Sequence, residues 1–97
     1  MKFVVLVKEE AKIEIADAFD WYEEKLNGLG DRFLSSLKNS FKRINQNPFL
    51  YQERFNGFRC APVHSFPYLI IFQIFDGEIV VFSVFNTNQN PAIFNRV

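Results

Sequence analysis

The sequence predicts a small α+β domain in which two helices pack on one face of an antiparallel sheet. Three observations predict this class. Apolar residues recur at helical spacing over the first half of the chain, strand-length apolar runs fill the second half, and glycine or proline separates the segments. With 97 residues the chain is long enough for one hydrophobic core, so we expect residues 1–97 to form a single domain.

The chain opens with a predicted strand and an amphipathic helix. Residues 3–8 contain a five-residue apolar run, which is too short for a signal peptide or a membrane span and is typical of a strand. From Glu9 the apolar positions change to helical spacing, and the stripe consists of Ala11, Ile15, Ala18, Phe19, Tyr22 and Leu26. Trp21 lies beside this stripe, where it either widens the core face or stays exposed as an anchor for a partner.

A second helix follows after a short break rich in glycine. Residues 27–30, Asn-Gly-Leu-Gly, end the first stripe, and Asp31 is the predicted N-cap of the next helix. The second stripe consists of Phe33, Leu34, Leu37, Phe41 and Ile44. Asn47-Pro48 ends it, so the two segments predict an antiparallel helix hairpin.

The remainder predicts a three-stranded antiparallel meander. Its strands cover residues 58–63, 68–75 and 78–85. Pro62 places the first of these strands at an edge or a bulge, because proline cannot donate a ladder hydrogen bond. Asp76-Gly77 favours a two-residue hairpin turn between the other two. Residues 92–97 predict a short C-terminal helical turn.

The two hairpin strands are apolar on both faces. Within residues 68–75 the one polar exception is Gln73, and within residues 79–85 it is Ser83. An antiparallel sheet with one wet face should alternate apolar and polar residues. Two helices cover one face only, so the other face needs the C-terminal tail, a homodimer mate or another chain over it.

Composition excludes several classes of site. Cys60 is the single cysteine and His64 the single histidine, so the sequence predicts no disulfide, no metal site and no cofactor, and it favours a cytoplasmic location. We expect Cys60 to be a small packing residue and His64 an exposed turn residue. Net charge is zero, but residues 1–31 hold eight acids and four lysines, whereas residues 32–97 hold seven basic residues and three acids. This is either two solvated helix faces or a dipole that matters to partners.

Several short motifs, taken in order, resemble the RelE/ParE toxin superfamily. Gly57-Phe58-Arg59 is similar to its Gly-aromatic-Arg strand, and residues 66–72, Phe-Pro-Tyr-Leu-Ile-Ile-Phe, are similar to its Phe-Pro-Tyr strand opening. Residues 84–91 resemble its C-terminal stretch before Asn-Pro. The resemblance covers essentially the whole chain and implies a RelE/ParE-like fold: strand, helix hairpin, meander and short C-terminal turn.

The resemblance breaks at the nuclease residues. Many members have His and Arg three residues apart where this chain has Asn86 and Gln89. Neither amide can transfer a proton near neutral pH or neutralise a phosphate. Arg59 is retained, and Arg96 lies where some members keep a basic or aromatic active residue. We therefore assign no catalytic residue, and Arg59, Asn86, Gln89 and Arg96 are candidate contacts to a target or a phosphate.

Each basic candidate has a simpler interpretation. Arg59 is expected on the concave face beside Asn86 and Gln89, but it could instead pair with a carboxylate at the strand end. Arg96 could be a solvated residue near the chain end. These alternatives are open from the sequence.

What the resemblance implies about function is a toxin of a type II toxin–antitoxin module, with a cognate antitoxin as protein partner and a link to plasmid stabilisation. The first hypothesis is a non-catalytic ParE-like inhibitor that binds DNA gyrase, since that branch lacks the full nuclease set. The second is a RelE-like endoribonuclease that cuts mRNA on the ribosome with a diverged site. The third is an inactive remnant that only binds antitoxin. No membrane association is expected.

Overall fold

A computed structural model describes residues 3–88 of the chain. Its elements are β1 (Val4–Val7), α1 (Glu9–Lys25), α2 (Leu29–Gln46), a 3-10 turn (Pro48–Leu50), β2 (Glu53–Phe55), β3 (Phe58–Pro62), β4 (Tyr68–Phe75) and β5 (Glu78–Asn86). The sheet order is β1-β5-β4-β3-β2, with β1 parallel to β5 and the other pairs antiparallel. The predicted α+β class and the order of helices and meander are confirmed.

One strand was not predicted. β2 pairs with β3 through a two-residue turn, Asn56-Gly57, in which both residues have positive φ, 45° and 80°. Asn-Gly is a strong hairpin signal, but a three-residue strand is too short to show alternation in the sequence. β3 lies between β4 and β2, so the prediction that Pro62 marks an edge strand is wrong; Pro62 itself pairs with Leu69 on β4 and lies beyond the end of the pairing with β2.

The start of α2 differs from the sequence prediction. The helix begins at Leu29, and Gly28 is its N-cap with φ of 91°, so Asp31 lies in the first turn and the predicted Asp31 cap is wrong. The carboxylate of Glu23 on α1 caps α2 instead. It accepts hydrogen bonds from the backbone N–H groups of Gly28 and Gly30, each at 2.9 Å. A tertiary contact between helices thus replaces a local cap.

The core lies between the helix pair and one face of the sheet. Phe33 is fully buried at its centre, and its ring lies 5.5 Å from that of Tyr22 and 5.1 Å from that of Tyr68. Ile44, Ile70, Phe72, Ile79, Val81 and Val84 complete the most buried set. Cys60 is half-buried on β3, and burial raises the pKa of its thiol, which agrees with packing and not nucleophilic chemistry.

The face of the sheet away from the helices is partly apolar, as the sequence predicts. Val4 is 58% and Leu6 45% exposed, while the alternate residues of β1 pack toward the core. Phe58 and Phe82 form an edge-to-face pair with centroids 5.1 Å apart, and the ammonium of Lys8 lies over the Phe82 ring. The predicted C-terminal turn lies outside the described residues. Between residues 3 and 88 no helix combines the length and apolar character that crossing a bilayer requires.

Candidate functional site

A groove of about 470 Å³ runs between α1 and the ends of β4 and β5. We call it the α1 groove. Its lining residues are Glu14, Asp17, Ala18, Trp21, Tyr22, Pro67, Tyr68, Val84, Asn86 and Asn88. The helix supplies acids and aromatic rings, and the strand ends supply tyrosine and amide groups. Two of the four sequence candidates, Arg59 and Asn86, lie within the described residues, and of these two the structure places Asn86 in this groove.

Glu14 holds the wall of the groove against β5. Its Oε1 atom accepts a hydrogen bond from Ser83 Oγ at 2.9 Å and from the Val84 backbone N–H at 2.8 Å. β1 pairs with β5 only as far as Val81, so at Val84 β5 is paired with β4 on one side and has no strand on the other. The carboxylate therefore satisfies a donor that a longer β1 would have bonded. Sequence reasoning missed Glu14, although Ser83, polar within an apolar strand, was the available signal.

Two tyrosines and an amide form the floor. Asn86 Nδ2 donates to the Tyr68 hydroxyl at 3.3 Å, and the Tyr68 and Tyr22 rings meet at a centroid distance of 6.2 Å. Burial raises the pKa of both tyrosines above 10.0. Both hydroxyls are therefore protonated at neutral pH and serve as hydrogen-bonding groups, not as bases. Asn86 Oδ1 also accepts the backbone N–H of Asn88 at 2.8 Å.

Trp21 stands at the rim of the groove. Its side chain is 54% exposed, so it does not widen the core. Its ring meets Tyr22 edge-on at 5.1 Å, and the ammonium of Lys25 lies 4.8 Å from its centroid. An exposed tryptophan at a groove rim is typical of an anchor for a partner.

Arg59 is not at this site. Nη1 donates to the Tyr51 carbonyl at 2.6 Å, Nη2 lies 3.9 Å from Glu53 Oε1, and the guanidinium lies over the Phe49 ring. Arg59 pairs with Phe72 on β4, whereas Asn86 pairs with Tyr68, four residues and about 13 Å further along that strand. The expectation that Arg59 lies beside Asn86 is wrong, because the strand register separates the two residues and the Arg59 guanidinium bonds the Tyr51 carbonyl.

The other candidates add no cation to the described groove. Gln89 and Arg96 lie outside the described residues. His64 is exposed in the turn before β4, as the sequence predicts. Among the lining residues that the structure describes there are two carboxylates, Glu14 and Asp17, and no Lys, Arg or His. Residues 3–88 hold no group of three His, Cys, Asp or Glu side chains able to bind a metal ion.

The chain is similar to known proteins both in sequence and in fold. The family model described as the ParE toxin of the type II toxin–antitoxin system, parDE, matches residues 5–91. A chain from the chromosomal ParDE TA system of P. aeruginosa has the same fold, with a TM-score of 0.79 and 12% sequence identity over 90% of this chain and 98% of that one. No match is found among curated protein sequences.

Proposed function

Because this chain belongs to the ParE toxin family of type II toxin–antitoxin systems, we propose that it arrests growth by binding a protein target and not by cutting RNA. DNA gyrase is the target to test first, and a cognate antitoxin would neutralise the toxin. The observation that supports this reading is the chemistry of the α1 groove. Its described lining presents carboxylates, amides and tyrosine hydroxyls, and no cation to stabilise the charge that develops on the phosphate during RNA cleavage.

Cleavage by a ribose 2′-hydroxyl requires a group that takes the proton and charge that stabilises the phosphorane. Asn86 and Asn88 can do neither, and the tyrosine hydroxyls are protonated at neutral pH, since burial raises a pKa that is already 10.0 in the free side chain. Arg59 is committed to the Tyr51 carbonyl at the other end of the sheet. Glu14 and Asp17 would repel a phosphate that entered the groove.

Antitoxin binding is supported by the surfaces that the fold leaves uncovered. The outer face of the sheet exposes Val4 and Leu6 on β1 together with Phe75 on β4. Exposed apolar side chains grouped on one face of a sheet are typical of protein interfaces. A segment bound there would stabilise the fold by mass action.

The test is induced expression in a growing culture, followed by two assays on the purified chain. We expect growth arrest, inhibition of supercoiling by gyrase, and no cleavage of mRNA in a translating extract. Cleavage of mRNA by the wild-type chain would contradict the proposal. Growth without arrest would indicate an inactive remnant that only binds antitoxin, and arrest without an effect on gyrase would exclude that target.

A matched variant sharpens the RNA assay. Asn86→His with Gln89→Arg restores the residue types that many RelE-like members have at these positions. Loss of one general acid–base group typically costs about 10²–10⁴-fold in rate. If the groove descends from a nuclease site, the double variant should cut ribosome-bound mRNA faster than the wild type. Asn88→His, with the histidine two residues along, is the control for simply adding an imidazole.

A further inference from the structure

We propose that the α1 groove binds a basic side chain, arginine or lysine, which a peptide segment of a protein partner inserts between α1 and the ends of β4 and β5. The inference rests on the proposed function in one respect, namely that the partner is a protein. It goes further by giving the chemistry of the segment that enters the groove.

The first support is a carboxylate fixed in place. Both hydrogen bonds that Glu14 accepts go to Oε1, from Ser83 Oγ at 2.9 Å and from the Val84 N–H at 2.8 Å. These bonds orient the carboxylate against β5 without neutralising it, because both donors are uncharged. A bound cation would therefore meet a preorganised anion.

The second support is the spacing along α1. Glu14, Asp17 and Trp21 stand at i, i+3 and i+7, so one face of the helix presents two carboxylates and then an indole. All three line the groove. The helix as a whole carries seven acids and two lysines, which gives the groove wall a negative field.

The third support is that the indole already attracts a cation. Lys25 Nζ lies 4.8 Å from the centroid of the Trp21 ring. A ring that is 54% exposed can take a second cation from the groove side or exchange the first. Lys25 itself does not line the groove, so the carboxylates there keep their charge unbalanced among the described lining residues.

The floor suits the same guest. Tyr22 and Tyr68 bring neutral hydroxyl groups, and Asn86 and Asn88 bring amide groups, all at the groove surface. Hydroxyl and carbonyl oxygens accept hydrogen bonds from a guanidinium or an ammonium. The aliphatic stem of arginine or lysine can lie along the Ala18 and Trp21 surface. A phosphate would find hydrogen-bond donors on this floor, but no positive charge among the described lining residues and two carboxylates that repel it.

Trp21 is the only tryptophan of the chain, so its fluorescence reports on the groove alone. The experiment titrates the full-length chain with three blocked tripeptides, Leu-Arg-Leu, Leu-citrulline-Leu and Leu-Glu-Leu. Citrulline keeps the shape of arginine without its charge. We expect a saturable change with the arginine peptide, about five- to tenfold weaker binding of the citrulline peptide, and no binding of the glutamate peptide. Raising the salt to about 0.5 M should weaken binding of the arginine peptide, because salt screens the attraction between its charge and the carboxylates.

Two variants test the location. Asp17→Asn should weaken binding of the arginine peptide about threefold or more, because the substitution removes one negative charge from the groove wall. Asp20→Asn is the control, since Asp20 is an exposed acid of the same helix that does not line the groove. Equal binding of the arginine and glutamate peptides, or equal weakening by both variants, would overturn the proposal. The result is independent of the gyrase and growth assays, so a failure here would leave the proposed function standing.

Discussion

Charged side chains have opposite roles at the two ends of the helix-covered face of the sheet. At the β2–β3 end a cation, Arg59, turns inward to the Tyr51 carbonyl and packs over Phe49. At the α1 groove an anion, Glu14, bonds Ser83 and Val84 but stays at the border of an open groove. The Arg59 charge is satisfied by contacts within the protein, whereas the Glu14 charge lies at the groove, where a partner can reach it.

At both ends of the sheet an unpaired backbone group determines which charged side chain binds there. Each end of the sheet has a backbone group that no strand pairs, a carbonyl at Tyr51 and an N–H at Val84. A carbonyl needs a donor and attracts the guanidinium, while an N–H needs an acceptor and attracts the carboxylate. Arg59, the arginine of the toxin-like motif, therefore lies away from the candidate site. Glu14, which belongs to no recognised motif, lies in it.

The largest expected effect is at Arg59. Arg59→Ala leaves the Tyr51 carbonyl without its charged donor and removes the guanidinium from the Phe49 ring, so the free energy of unfolding should fall by about 1.5–3 kcal/mol. Urea denaturation followed by circular dichroism measures it. Growth arrest at a temperature where the variant is folded should be unchanged.

Glu53→Ala is the matched control for this end of the sheet. Its carboxylate is 56% exposed and lies 3.9 Å from Arg59, so its loss should change stability by less than about 1 kcal/mol. If Arg59→Ala were as stable as the wild type yet abolished growth arrest, Arg59 would be a contact to the target after all and the contrast between the two ends would fail.

The next effect is at Glu14. Glu14→Ala leaves the Val84 N–H and the Ser83 hydroxyl without their acceptor, which should cost about 1–2 kcal/mol. The local readout is amide hydrogen exchange: Val84 should exchange faster, while amides of the β3–β4 ladder keep their protection. Asp17→Ala is the control, because Asp17 lines the same groove without a hydrogen bond to β5 among those described. Unchanged exchange at Val84 would show that Glu14 does not cap the strand.

A smaller effect is expected on the alkaline side. Burial raises the pKa of Tyr22 and Tyr68 above 10.0, so the unfolded chain loses these protons first as the pH rises. From about pH 10 upward the folded state holds more protons, and the free energy of unfolding falls until the pH has passed the folded-state pKa values. Tyr22→Phe and Tyr68→Phe should each flatten this fall relative to the wild type. Parallel curves for the wild type and both variants would contradict the assignment.

Much of the fold could be predicted because its signals are local and repeated. The stripes of α1 and α2 need only a period, and the Asp76-Gly77 turn needs only two residues that tolerate positive φ. The missed elements are those without such a signal. β2 is too short to alternate, and the cap of α2 comes from Glu23 on another helix.

By itself the sequence determined the helix hairpin, the long strands, the apolar outer face and the uncharged amide side chains at positions 86 and 89. These follow from periodicity and residue chemistry. Only the tertiary structure decided which charges face a partner. β1 ends at Val7, level with Val81, and that end point alone leaves the Val84 N–H for Glu14. Such an assignment depends on where two strands stop relative to each other, which no local pattern of residues encodes.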